Sequence, residues 1–132
     1  MKRKLVLFVL LGLSAVGCAG KEKPVLGLVH DEVLTFPLPL DLTYLRTMEA
    51  IERHPDWELD TTVKDQGVIY IRNVRYSSFA DADQRRATLL VKRVGPKTTS
   101  VQLAPESQAV VGAGEVLDLI KQTLAREVSR RN

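Results

Sequence analysis

The chain has 132 residues, 45% apolar and 27% charged, which suits a single globular domain and excludes bulk disorder or a disulfide-stapled scaffold. Lys2, Arg3 and Lys4 account for the whole formal charge of +3, and residues 18–132 carry 16 basic and 16 acidic side chains. A basic excess confined to the first four residues argues for a targeting signal and against nucleic acid as a partner, and a lone cysteine excludes an intramolecular disulfide.

After the basic residues 1–4, Leu5 to Val16 form about twelve mostly apolar residues, the length of a signal-peptide core. A helix of that length rises about 18 Å, well short of a hydrocarbon layer of about 30 Å, so a cleaved signal is expected rather than a permanent span. Small residues then gather directly before Cys18. The stretch Ser14-Ala15-Val16-Gly17-Cys18 resembles the lipobox of bacterial lipoproteins. That resemblance implies removal of residues 1–17, diacylglycerol on the Cys18 thiol and acylation of its freed amine. The protein would then be held to a membrane by acyl groups. Ala15 departs from the leucine-like residue that the family prefers. Ala19 stands where inner-membrane retention favours Asp, so the resemblance implies the outer membrane, facing the periplasm. The competing reading is an ordinary secretory signal cleaved near Ala19, with Cys18 incidental.

Residues 18–32 read as the acylated cysteine and a flexible tether, with polar Ala19–Pro24 at its start, and residues 33–132 as the folded domain. Val33 to Phe36 predicts a short strand, stopped by Pro37 and Pro39. Asp41 is the expected N-cap of a helix running to Arg53, with Tyr44, Met48 and Ile51 on one face and Leu45 on its shoulder. Trp57, Leu59, Thr61 and Val63 alternate with polar residues, as in a half-buried strand. Lys64–Gly67 reads as a turn, followed by strands over Val68–Tyr76, Ala87–Val94 and Thr98–Leu103, the last two joined by Gly95-Pro96-Lys97. A second helix is expected from Gly114 to Ser129, burying Val116, Leu117, Ile120, Leu124 and Val128.

The order β-α-β-β-β-β-α, with short turns between successive strands, predicts an α+β two-layer sandwich. An antiparallel sheet of four to five strands would be covered by two helices. Three stretches carry a likeness to known proteins: His54-Pro55-Asp56-Trp57 at the end of the first helix, the turn Asp65-Gln66-Gly67, and Gly95-Pro96-Lys97. On these, residues 33–130 resemble small helix-grip-like envelope lipoproteins, with the topology of the BamC repeats. Fold likeness of this kind implies little about activity.

No residue pattern predicts a catalytic site, a cofactor or a metal site. His30 and His54 lack ligand spacing, His30-Asp31-Glu32 falls in the tether, and Asp81 and Asp83 lack a calcium-loop frame. His54 is expected to cap the first helix or to face solvent, and Gly112-Ala113-Gly114 reads as a flexible helix start. Arg72, Arg75, Arg85, Arg86, Lys92 and Arg93 make the middle hairpin locally basic, with Tyr70, Tyr76 and Phe79 among them. Such a face suits an anionic surface or acidic partner, or simply keeps an outer face soluble. The connection around Phe79 is long for a hairpin, so Phe79, Arg75, Arg85 and Arg86 are the candidate contact loop. The expected function is a non-enzymatic binding or scaffold module for another envelope component. The alternative is a carrier or sensor of a small apolar or anionic ligand, held between helix and sheet and lined by Met48, Trp57 and Tyr70.

Overall fold

A computed structural model of the chain describes residues 29–75 and 86–132. The elements follow in the order β1 (Leu34–Phe36), α1 (Leu40–Glu52), β2 (Trp57–Val63), β3 (Val68–Asn73), β4 (Arg86–Gly95), β5 (Thr98–Leu103) and α2 (Ala113–Arg131), with single 3-10 turns at Lys64–Gln66 and Pro105–Ser107. The strands form one antiparallel sheet in the order β1-β5-β4-β3-β2, and both helices cover one of its faces, giving the α+β two-layer sandwich expected from the element order. Among the described residues no helix is long and apolar enough to cross a membrane.

The strand register builds the core in rows. Leu34 pairs with Val101 and Val101 with Val91, while Leu103, Leu89 and Ile69 align across β5, β4 and β3. Ile71 pairs with Ala87 on one side and Leu59 on the other. Onto these rows the helices press Ile51, Leu117, Ile120 and Leu124, each fully buried. A side chain of this kind contributes about 1.5–3 kcal/mol when taken out of water.

Local chemistry moves several boundaries away from the sequence expectation. Asp41 is not the N-cap of α1: that place belongs to Pro39, whose fixed φ of −66° and extended ψ turn the chain into the helix two residues earlier. Asp41 lies in the first turn instead, where its charge suits the helix dipole, and Lys64 Nζ stands 3.4 Å from it. The buried stripe of α1 runs through Thr43, Tyr44, Thr47, Ala50 and Ile51, while Leu45 is exposed. Thr43 and Thr47 fit there because each hydroxyl donates to the carbonyl one turn back, at 3.0 and 2.7 Å.

In β2 the alternation holds only as far as Leu59. The register shifts between Leu59 and Thr61, so Asp60 is the extra residue of a bulge and Thr62, not Thr61, pairs opposite inward-facing Ile69. Thr61 and Val63 therefore fall on the outer face, a change of phase that a strict period of two conceals. β3 ends at Asn73, short of Tyr76, because the Arg75 N–H turns back to donate to Asn73 Oδ1 at 2.9 Å. Tyr76 itself lies outside the described residues.

Gly67 fixes the corner between β2 and β3. Its φ is +65°, its N–H donates to Lys64 O, and its carbonyl accepts from Val91 N at 2.7 Å. A Cβ there would lie 2.1 Å from the Val91 carbonyl oxygen. Gly67→Ala is expected to cost about 1–3 kcal/mol from the left-handed backbone alone, with the collision adding to it. Gly95→Ala, whose Cβ would meet Thr98 at an ordinary 3.4 Å, is expected to be close to neutral. Urea unfolding midpoints of the two variants check this, and a neutral Gly67→Ala would contradict the corner geometry.

Candidate functional site

One end of the sandwich gathers the beginnings of β1, β2 and β4, the end of β3, the C-terminus of α1 and the start of α2. Of the residues expected to make contacts, Arg75 and Arg86 are at this end; Cys18, Phe79 and Arg85 lie outside the described residues. Arg75 lies two residues past the end of β3, with Nη1 at 3.5 Å from Asp56 Oδ2 at the foot of β2. Arg86 opens β4, exposed, and pairs across the strands with Arg72. The like charges are offset by Glu58, which pairs with Arg72 from the other side. Arg72 donates to Glu58 through Nε at 3.0 Å and again through Nη2. Those hydrogen bonds, then the Glu58 charge, hold the Arg72 pKa above its ordinary value, with a smaller push from Asp60.

The basic residues of the middle hairpin do not form one patch. Arg72 and Arg86 share the outer face near this end, whereas Lys92 pairs with Ser100 about 20 Å further along β4. Arg93 donates to the carbonyls of Gly95 and Pro96 at the far hairpin, beside a cleft of about 300 Å³ that also includes Pro39, Asp41 and Thr99. Tyr70 lies between the two sites on the outer face, 41% exposed and flanked by Thr61 and Thr88. It is thus on the opposite side of the sheet from Trp57, which is buried, and from Met48, which packs on the core. The three residues expected to line one ligand cavity do not face a common space.

His54 is neither a simple cap nor solvent-exposed. Its side chain is 9% exposed, and Nδ1 accepts the Asp56 N–H at 3.1 Å. Its Nε2 stands 3.9 Å from Glu115 Oε2, beyond hydrogen-bond distance. One imidazole thus ties the end of α1 to the start of β2 and lies beside the first turn of α2. No group of three metal-ligating side chains occurs among the described residues.

No family model matches this sequence, and no curated protein is significantly similar to it.

Two features of this end were not read from the sequence. His30, assigned to the tether, is docked: its N–H donates to Gln108 O at 2.8 Å, and its ring covers Gly114 in the first turn of α2. A Cβ on Gly114 would stand 2.3–2.6 Å from three atoms of that ring. The second feature is Trp57, which with Asn73 faces Gly112. The signal for both was present in the two glycines that bracket Ala113 at a helix start, where close approach of another group is the usual reason for glycine.

On the outer side of the helices, Arg46 bridges Glu49 at 2.7 Å and Glu127 at 3.1 Å, joining α1 to α2. The hydrogen bond that Arg46 donates to Glu49, with the charges of Glu127 and Glu49, raises the Arg46 pKa above its ordinary value. This network is placed to orient the helices, on the side away from the sheet.

Gly114→Ala should displace the His30 ring without unfolding the domain, since a flexible side chain gives way and alanine favours a helix by about 1 kcal/mol over glycine. The His30 ring resonances in proton NMR would move towards those of a solvated imidazole while the unfolding midpoint holds or rises. An unchanged His30 environment would show that the ring is not held there.

Proposed function

We propose that this protein is a membrane-anchored envelope lipoprotein whose domain is a non-enzymatic binding or scaffold module for another envelope component. The observation that carries the reading is the run from Lys2 to Cys18, in which charge, apolar length, small residues and cysteine stand in the order of a lipobox signal. Two or more acyl chains on Cys18 would anchor it stably, because each buried methylene contributes about 0.8 kcal/mol and one chain alone is marginal. Ala19 favours the outer membrane as the destination, with the domain facing the periplasm.

A binding role is supported by how the carboxylates of the domain are used. Glu58, Asp56, Glu49, Glu127, Asp41 and Glu115 each stand against a cationic or imidazole partner rather than against one another. Pairs of this kind leave the surface charge locally balanced, as a partner's surface can meet without burying an isolated charge. The end of the domain bearing His30, Arg75, Arg86 and exposed Val111 is the proposed contact face. It is also the end nearest the tether, so a partner bound there would be held close to the bilayer.

Photo-crosslinking in intact cells tests this reading. A photoreactive residue at position 111 is expected to give a discrete protein adduct, whereas the same residue at Lys97, exposed on the far hairpin, gives none. Equal labelling from both positions, or no adduct from position 111 at native expression, would overturn the proposed face.

A further inference from the structure

The outer side of the helix pair carries more positive charge than its ion pairs use. α1 and α2 run antiparallel: Arg46 meets Glu127, while His54, further along the chain, lies beside Glu115 in the first turn of α2. Between the helices is a cleft of about 60 Å³, whose charged lining is Arg46, Arg53, Arg126 and Arg130 with Glu49 and Glu127. One water occupies about 10–15 Å³ of such space, so the cleft admits a group of several heavy atoms.

Both glutamates are held by the same guanidinium. Arg46 Nη1 is 2.7 Å from Glu49 Oε2, and its Nε is 3.1 Å from Glu127 Oε2. The other three arginines are exposed, and none has a carboxylate at ion-pair distance among the described residues. Arg126 uses Nε on the Gln122 carbonyl at 3.3 Å and keeps its terminal nitrogens free of the described residues. The cleft is therefore left with an excess of two positive charges. Arg126 and Arg130 are also four residues apart on one helix, where like charges repel. A place near a helix C-terminus suits Arg53 and Arg130, but the dipole gives no reason for Arg126 to share their cleft. Thr123, 8% exposed, adds a polar wall, and its hydroxyl does not donate one turn back as those of Thr43 and Thr47 do.

We propose that the cleft between α1 and α2 binds a phosphate monoester group, held by the guanidinium groups of Arg53, Arg126 and Arg130. A carboxylate has two oxygens and one charge, enough for a single arginine fork. A phosphate monoester has three outer oxygens and a charge of about −1.5 to −2 at neutral pH, which answers three forks and the local excess together. Bound there, it also removes the repulsion between Arg126 and Arg130. The group belongs either to a lipid headgroup or to a free small phosphate. The inference uses none of the residues of the proposed contact face and stands whether or not Cys18 is acylated.

The 15N-labelled full chain in dodecyl maltoside micelles is titrated at neutral pH with inorganic phosphate, the ionic strength being held constant with sodium chloride. Succinate, a dianion of different shape, is the control. A second arm adds lysophosphatidic acid to the micelles, beside lysophosphatidylcholine. The expected result is a saturable shift of the backbone amides of Arg53, Thr123, Arg126 and Arg130 with phosphate or lysophosphatidic acid, absent with succinate and lysophosphatidylcholine. Much tighter binding of lysophosphatidic acid identifies a lipid headgroup, and equal or weaker binding a free phosphate. Arg126→Gln and Arg130→Gln should each weaken the response by about tenfold. Arg131→Gln, exposed beside them but outside the cleft, should leave it unchanged. Without phosphate, Arg130→Gln should unfold at the same or a higher temperature, which separates lost binding from lost fold. Arg126→Lys, which keeps the charge and loses the fork, is the further variant should a glutamine variant unfold, and it should also bind more weakly. Amides that do not shift, that shift alike with succinate, or that respond unchanged in the cleft variants overturn the proposal. An equal loss of affinity in Arg131→Gln does so too, since the effect would then be that of surface charge in general.

Discussion

The pairing of three residues, Leu34–Phe36, with the last strand governs the architecture. β1 lies beside β5 while β2, the next strand in the chain, lies at the opposite edge, so α1 has to cross the full width of the sheet between them. That crossing covers the apolar face that the β2–β5 meander leaves open, and α2 then fills the space beside α1. The contact is anchored by Leu38, whose carbonyl accepts from the buried Thr99 hydroxyl at 2.8 Å, and by the Tyr44 hydroxyl donating to Val68 O at 3.2 Å. Few residues hold the closure: Leu34, Phe36, Leu38, Tyr44 and Thr99 are buried, and all meet partners distant in sequence.

The same topology brings His30, His54, Asp56, Trp57, Asn73, Arg75, Gly112 and Glu115 to one end. They come from four separate stretches of the chain. They meet because β2 starts, β3 finishes and α2 begins at the same level of the sandwich. A linker segment docked on the helix start at Gly114, and a pair of inward-facing donors beside Gly112, give this end chemistry that the far hairpin, with Arg93 spent on backbone carbonyls, lacks.

Most of the element pattern was legible because period and punctuation are local properties. The strands at 57–63 and 98–103 coincide with those read from alternation and turn residues, and α2 differs from its expected span by one residue at one end and two at the other. The failures are equally physical. Alternation in β2 could not show the bulge at Asp60, since an inserted residue leaves composition unchanged while reversing the facing of Thr61 and Thr62. Asp41 carried the chemistry of a cap, but the rigid φ of Pro39 decided where the helix began. Arginines that cluster along the hairpin in sequence separate once β4 extends, because a strand puts distance between residues that a list of positions brings together. The convergence of Trp57 and Asn73 on Gly112 left only the glycine itself as a trace in the sequence, because the three residues meet through tertiary packing.

The account of function rests most heavily on Cys18. The intact mass of the protein extracted from membranes, compared with a Cys18→Ser variant, tests it directly. The account predicts loss of residues 1–17 and added acyl mass in the native protein, and an unacylated chain with the signal uncleaved or cleaved elsewhere in the variant. A native protein recovered from the soluble fraction without acyl mass would contradict it.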